Sequence, residues 1–147
     1  MRCIIVYQPN QFDIKNKLEK ALLRCEYQIK ALAYNEEITG VQLYQRILAA
    51  DPDLVFTIDL TGFNIKTDTD DIAYINLSCP NIHFICGSLE PERFACLAGK
   101  LSIAMFFYCL NQEICSDLLG KYPEIPYLKF VADLETGVGD VVEEIYG

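Results

Sequence analysis

Basic residues are scarce in this sequence. Twelve lysines and arginines stand against 21 aspartates and glutamates in 147 residues, giving a net charge of −9. Nucleic acid and anionic membrane surfaces both demand clustered cations, so neither is an expected partner. Histidine occurs once, as His83. There is no C-x-x-C pair, no G-x-G-x-x-G turn, no P-loop and no G-x-S-x-G elbow. No apolar run approaches the roughly 20 residues of a membrane helix. The chain opens on a short run, CIIVY, followed by Gln8-Pro9-Asn10, which does not read as a signal peptide, so none is expected. The expectation is a cytoplasmic protein with no membrane insertion.

Apolar residues are plentiful by contrast. Hydrophobic content is 52%, enough for one domain with a real core. Seven cysteines, an odd number without a leader, read as free thiols in a reducing compartment. Cys79, His83 and Cys86 have a passable metal spacing. A zinc site needs four ligands, however, and strand alternation would turn His83 and Cys86 to opposite faces. They read as core residues, His83 as a packed or hydrogen-bonded strand residue, and the sequence calls for no metal and no cofactor.

Strand and helix patterns alternate along the whole chain. Apolar runs at 1–7, 28–34, 54–60, 82–87, 102–110 and 127–133 read as strands. Amphipathic segments at 11–26, 39–51 and 111–121 read as helices, with Thr39 and Asn111 as N-caps. A short helix is expected near 70–77, and 89–101 is helical or irregular. The fold class is α/β: a three-layer, doubly wound, mostly parallel sheet of five or six strands, Rossmann- or flavodoxin-like. Residues 1–134 form the domain, and 135–147 an acidic tail or the start of a linker or helix.

In such sheets ligands bind beyond the carboxyl ends of the strands. Those ends offer Asn10 after the first strand, Asp59 and Gly62 after the third, Ser88 after the fourth and Asn111 after the fifth. Asp59 has two readings. It is a ligand-binding carboxylate in the crevice, or a turn residue accepting the Thr61 or Gly62 backbone N–H. Gly62 supplies a positive φ or a close backbone approach. Phe63 lines a pocket or folds back on the core. A paired-carboxylate enzyme using Asp59 and Glu90 is the weakest reading, because a chain with 21 acids places two at strand ends by chance. A phosphoacceptor receiver would need acids after the first strand and a lysine after the fifth, where Gln8-Pro9 and Asn111-Gln112 stand.

Three stretches carry a family likeness: ILAADPDLVFTIDLTGFN, CPNIHFICGSLEP and FFYCLNQEICSDLLGKYPEIPYLKFVAD. Across residues 45–133 they resemble the N-terminal Rossmann-like half of bacterial GT-B glycosyltransferases, in particular a spore-protein-like group. The family's aspartate before proline is replaced here by Gly87-Ser88-Leu89-Glu90-Pro91, and its aspartate after the fifth strand by Asn111. In GT-B enzymes the nucleotide-sugar donor binds mainly in a second, C-terminal domain. The resemblance therefore implies a module without catalytic residues of its own, with glycosyltransferase activity only beside such a domain. Its crevice would face a sugar acceptor or a partner domain through Asn10, Asp59, Gly62, Ser88 and Asn111. Surface left by a missing partner would also permit a weak homodimer. The alternative is a flavodoxin- or receiver-like domain that binds a metabolite at the same crevice.

Overall fold

The computed structural model describes residues 1–87 and 89–146. Six strands form one parallel sheet: β1 (Arg2–Tyr7), β2 (Gln28–Ala33), β3 (Leu54–Ile58), β4 (Asn81–Ile85), β5 (Met105–Cys109) and β6 (Leu128–Phe130), in the order β2-β1-β3-β4-β5-β6. β3 and β4 are buried at every position, as expected of strands covered on both faces. Four helices accompany them: α1 (Phe12–Leu23), α2 (Gly40–Ala50), α3 (Gln112–Lys121) and α4 (Leu134–Tyr146). The doubly wound α/β architecture is thus present, with the flavodoxin-type strand order extended by β6.

Strand alternation creates two cores. Ile5, Phe56, Phe84 and Tyr108 pack against α1 and α4 through Leu18, Leu22, Val138 and Val141. Ile4, Val55, Ile85 and Phe107 pack on the other face against α2 and α3 through Leu43, Ile47, Cys115 and Leu118. The chain crosses from β1 to β2 over the first face, then moves the opposite way, from β2 to β3, over the second. All later crossovers continue in that direction over the second face, so every crossover shares one hand, as strand twist requires.

Local chemistry sets the helix ends. Thr39 Oγ1 accepts the Gln42 N–H at 3.1 Å, and Gln42 Oε1 accepts the Thr39 N–H at 2.9 Å, closing a capping box. Asn111 Oδ1 accepts the Ile114 N–H at 3.0 Å. The C-terminal segment is an ordered helix. Tyr108 and Tyr127 both donate hydroxyl bonds to Asp140 Oδ2, at 2.8 and 3.0 Å, and Lys129 pairs with the other oxygen. α4 also sits tight on the sheet, where a Cβ on Gly137 would lie 2.5 Å from the Phe84 ring.

Several elements differ from the sequence expectation, among them β6, which holds only Leu128–Phe130 of the expected 127–133. The helix expected at 70–77 is only a 3₁₀ turn, Ala73–Asn76, within a β3–β4 connection that buries Leu60, Phe63, Ile65, Ile72, Tyr74 and Leu77 instead of presenting one helical face. β5 begins at Met105 because Ser102 turns the chain: its carbonyl accepts the Met105 N–H, and Ile103 is left 89% exposed. β3 stops before Asp59, whose φ of +51° leaves the extended region. No helix among the described residues is long and apolar enough to cross a membrane.

Candidate functional site

The chain reverses its winding direction between β1 and β3, so the crevice expected of a doubly wound sheet opens beyond their carboxyl ends. After β1 the chain makes a 3₁₀ turn, Pro9–Gln11. Gln11 is buried. Its Oε1 accepts the Gln8 N–H at 2.8 Å, and the Gln11 N–H bonds the Gln8 carbonyl at 2.8 Å. The Thr61 hydroxyl, from the loop after β3, shares its one proton between two acceptors, the same Oε1 at 3.1 Å and the Ile58 carbonyl at 2.7 Å. Gln11 and Thr61 therefore bolt the two crevice walls together. The bonded N–H groups of Gln8 and Gln11 leave the first turn a poor phosphate cradle.

The loop after β3 is conformationally unusual. Asp59 and Leu60 both adopt left-handed backbone, with φ of +51° and +60°, and Gly62 follows at +88°. Non-glycine residues seldom sit there, and asparagine and aspartate tolerate it best. The strain is offset by bonding. Asp59 Oδ1 accepts the Cys86 N–H at 2.7 Å and the Gly87 N–H at 3.3 Å, while Arg93 Nη2 donates to the Asp59 carbonyl at 2.9 Å. Tyr74 donates its hydroxyl to the Thr61 carbonyl at 2.9 Å. Asp59 does not make the expected turn to Thr61 or Gly62, because the Thr61 N–H is taken by the Ile58 carbonyl. Its carboxylate is a strut between the ends of β3 and β4.

Partial burial pushes the Asp59 carboxyl above its ordinary value, opposed by the Cys86 and Gly87 N–H groups and by Arg93. A folded-state value above the unfolded one means that ionising Asp59 costs stability as pH rises past 3.8. An asparagine in its place would mimic the protonated acid, keep the acceptor and suit a positive φ. Asp59→Asn is therefore expected to hold or raise the melting temperature at neutral pH. Asp59→Ala is expected to lower stability by about 2 kcal/mol, because the Cys86 N–H loses its partner. Urea titrations of both variants check the pair, and a severely destabilised Asp59→Asn would contradict the strut.

The crevice has two adjoining cavities. One, of about 870 Å³, is lined by Gln8, Asn10, Tyr34, Asn35, Glu36, Glu37 and Asn64. The other, of about 550 Å³, shares Gln8, Tyr34 and Asn64 and adds Gly62, Phe63, Lys66, Glu92 and Arg93. Of the residues expected at the site, Asn10 and Gly62 meet here, one in each cavity. Asn111 is spent on capping α3, away from both. Ser88 lies outside the described residues. Glu90 is exposed ahead of the 3₁₀ segment Pro91–Ala98 and lines neither cavity, so it forms no acid pair with the Asp59 strut there.

No known family model matches this chain, and no curated protein matches it.

Residues 34–37, after β2, line the crevice although the sequence pointed only to the ends of the first, third, fourth and fifth strands. Their signal is there: a tyrosine, an amide and two acids directly after a strand. Lys66 and Arg93 carry no such signal, since only the buried loop and the Asp59 carbonyl bring them to the crevice. Phe63 does both things expected of it. It is 3% exposed, stacks edge-on against His83 at 4.7 Å between centroids, and still lines the basic cavity. His83 and Cys86 belong to opposite faces of the sheet. Among the described residues no cluster of His, Cys, Asp and Glu is arranged to hold a metal ion.

Proposed function

We propose that this chain is a binding module without catalytic residues of its own, comparable to the acceptor-side half of a GT-B glycosyltransferase, and that its ligand is a polyhydroxylated molecule held in the switch-point crevice. The observation that carries the reading is the lining of the larger cavity. Gln8, Asn10, Asn35 and Asn64 supply amides that both donate and accept, and Glu36 and Glu37 supply acceptors. Neighbouring sugar hydroxyls need that combination, each being donor and acceptor at once. Tyr34 adds a ring against which the C–H face of a sugar can pack. Sugar transfer would need the nucleotide-sugar site of a second domain.

The strand order favours one other reading, a flavodoxin-like metabolite-binding domain. The two readings differ in what the first turn must do, because a flavin or nucleotide phosphate would need the N–H groups that Gln8 and Gln11 already use.

A thermal-shift panel of mono- and disaccharides, nucleotide sugars, nucleotides and flavins separates them. Sugars are expected to raise the melting temperature through selective binding to the folded state. Tyr34→Ala and Asn64→Ala are each expected to weaken that binding about tenfold, the worth of one well-placed polar or aromatic contact. Stabilisation by flavins or nucleotides alone would support the metabolite reading instead. No response to any sugar would remove the acceptor reading.

A further inference from the structure

We infer that the ligand of the switch-point crevice carries a negatively charged group, a phosphate or a carboxylate, held between Lys66 and Arg93. This rests on the crevice reading proposed above and adds the chemical class of the ligand.

The two cavities differ in character. The amide-lined one carries Glu36 and Glu37, and the adjoining one carries Lys66 and Arg93, with Glu92 as its one acid among the described residues. Gln8, Tyr34 and Asn64 belong to both, so a single ligand can reach from one to the other. A polyol with one anionic substituent matches this arrangement, with hydroxyls towards the amides and charge towards the cations.

The two cations also stand outside the ion pairs. Ion pairs among the described residues engage Arg2, Lys15, Arg24 and Lys129, but neither Lys66 nor Arg93. Arg93 is held in place by one bond, from Nη2 to the Asp59 carbonyl, which leaves its other donors free to face the cavity. Both cations favour the ionised form of the Cys96 thiol, against the burial that raises its pKa, so both act on the same wall of this cavity. Cys96 itself donates to the Arg93 carbonyl at 3.2 Å, pinning the turn that carries Arg93. In a chain of net charge −9 the distant field repels anions. Two cations outside any ion pair among the described residues, against the one acid Glu92, are then a local reversal of sign, which the attraction of Arg93 to Asp59 uses only in part.

The test is an NMR titration of the ¹⁵N-labelled chain with glucose, glucose 6-phosphate, glucuronate and inorganic phosphate, at low and high salt. Both anionic sugars are expected to bind at least about tenfold more tightly than glucose, with the advantage shrinking as salt screens the exposed cations. Lys66→Gln is expected to remove about three- to tenfold of that advantage, read as the ratio of anionic-sugar to glucose affinity within the same variant. It is the cleaner variant, since Arg93→Gln also breaks the bond to Asp59. The stronger of the two anionic sugars identifies phosphate or carboxylate as the preferred group. Equal affinity for glucose and its anionic derivatives would overturn the inference and leave the polyol reading standing. Inorganic phosphate shifting the amides around Lys66 and Arg93, with no sugar bound, would do the reverse. Anion shifts centred instead on the exposed Lys17 and Lys20 of α1, or silence from all four compounds, would also overturn it.

Discussion

Replacing Gly62 by alanine is expected to cost the fold on the order of 3 kcal/mol, the sum of backbone strain and a broken buried hydrogen bond. Gly62 has φ +88°, where a Cβ crowds its own backbone. That Cβ would also lie 2.2 Å from the Tyr74 hydroxyl and 3.0 Å from its Cζ. Tyr74 cannot swing aside cheaply. It is 1% exposed, tilts against Phe63 and His83, and its hydroxyl bonds the Thr61 carbonyl next to Gly62. Moving the ring breaks that bond and opens the packing under the basic cavity. For a domain of this size the melting temperature should fall by about 10 °C. Urea denaturation of Gly62→Ala, Tyr74→Phe and the double variant separates the two causes. Removing the hydroxyl relieves the closest contact, so the double variant should lose less than the sum of the singles. Strict additivity would mean that the contact with Tyr74 is not the source of the cost. A single variant within about 0.5 kcal/mol of the parent, the usual range for an unremarkable surface change, would refute the whole account.

That dependence shows what the sequence made legible. The parallel sheet was readable because Ile4, Ile5 and Val6, or Val55, Phe56 and Thr57, form uninterrupted buried runs that only a strand covered on both faces needs. Thr39 and Asn111 were readable as caps because capping is a bond between residues three apart. The β3–β4 connection was not. Its shape comes from bonds between residues far apart in the chain: Asp59 to Cys86 and Gly87, Thr61 to Gln11, Arg93 to Asp59. Asp59 stands out in the sequence as an acid at a strand end, but such an acid is as easily spent on a neighbouring strand's N–H groups as on a ligand. Lys66 and Arg93 become neighbours of the crevice only through that tertiary wiring. The strand order was likewise open, since an alternating pattern fits either doubly wound arrangement.

Acid is expected to destabilise this protein well above the pH at which ordinary carboxylates protonate, and His83 is the reason. The ring is fully buried and belongs to a closed network. Asn81 Nδ2 donates to the Tyr74 carbonyl, so Asn81 Oδ1 is left as the acceptor for His83 Nε2–H at 2.6 Å. Nδ1 is then the acceptor and takes the Thr57 hydroxyl at 2.7 Å. Phe63, Tyr74 and Phe107 enclose the remaining faces, and no carboxylate stands among these partners. A second ring proton would force the Thr57 hydroxyl to turn round and accept, and would place a charge in an apolar box with no carboxylate to neutralise it. Burial accordingly lowers the His83 pKa from 6.5 to about 3. The sign follows directly. Between those values the unfolded chain binds a proton that the folded chain does not, so stability falls as pH drops through 6.5 and goes on falling towards 3. The loss is a few kcal/mol across that window, a large share of a small domain's stability. Asp59 works the other way, since its raised pKa makes acid relieve a cost. Asp133 and Asp140 have lowered values, so their loss comes only below the ordinary 3.8. From pH 6.5 downwards the fall in stability therefore comes from His83, with Asp59 working against it. Urea titrations across that window should slope steeply for the parent. They should be flat, or rise towards acid as Asp59 protonates, for His83→Gln, which keeps a donor and an acceptor but has no proton to gain. An equally steep slope in that variant would show that the acid sensitivity arises elsewhere. It would also leave the Thr57–His83–Asn81 network as packing alone.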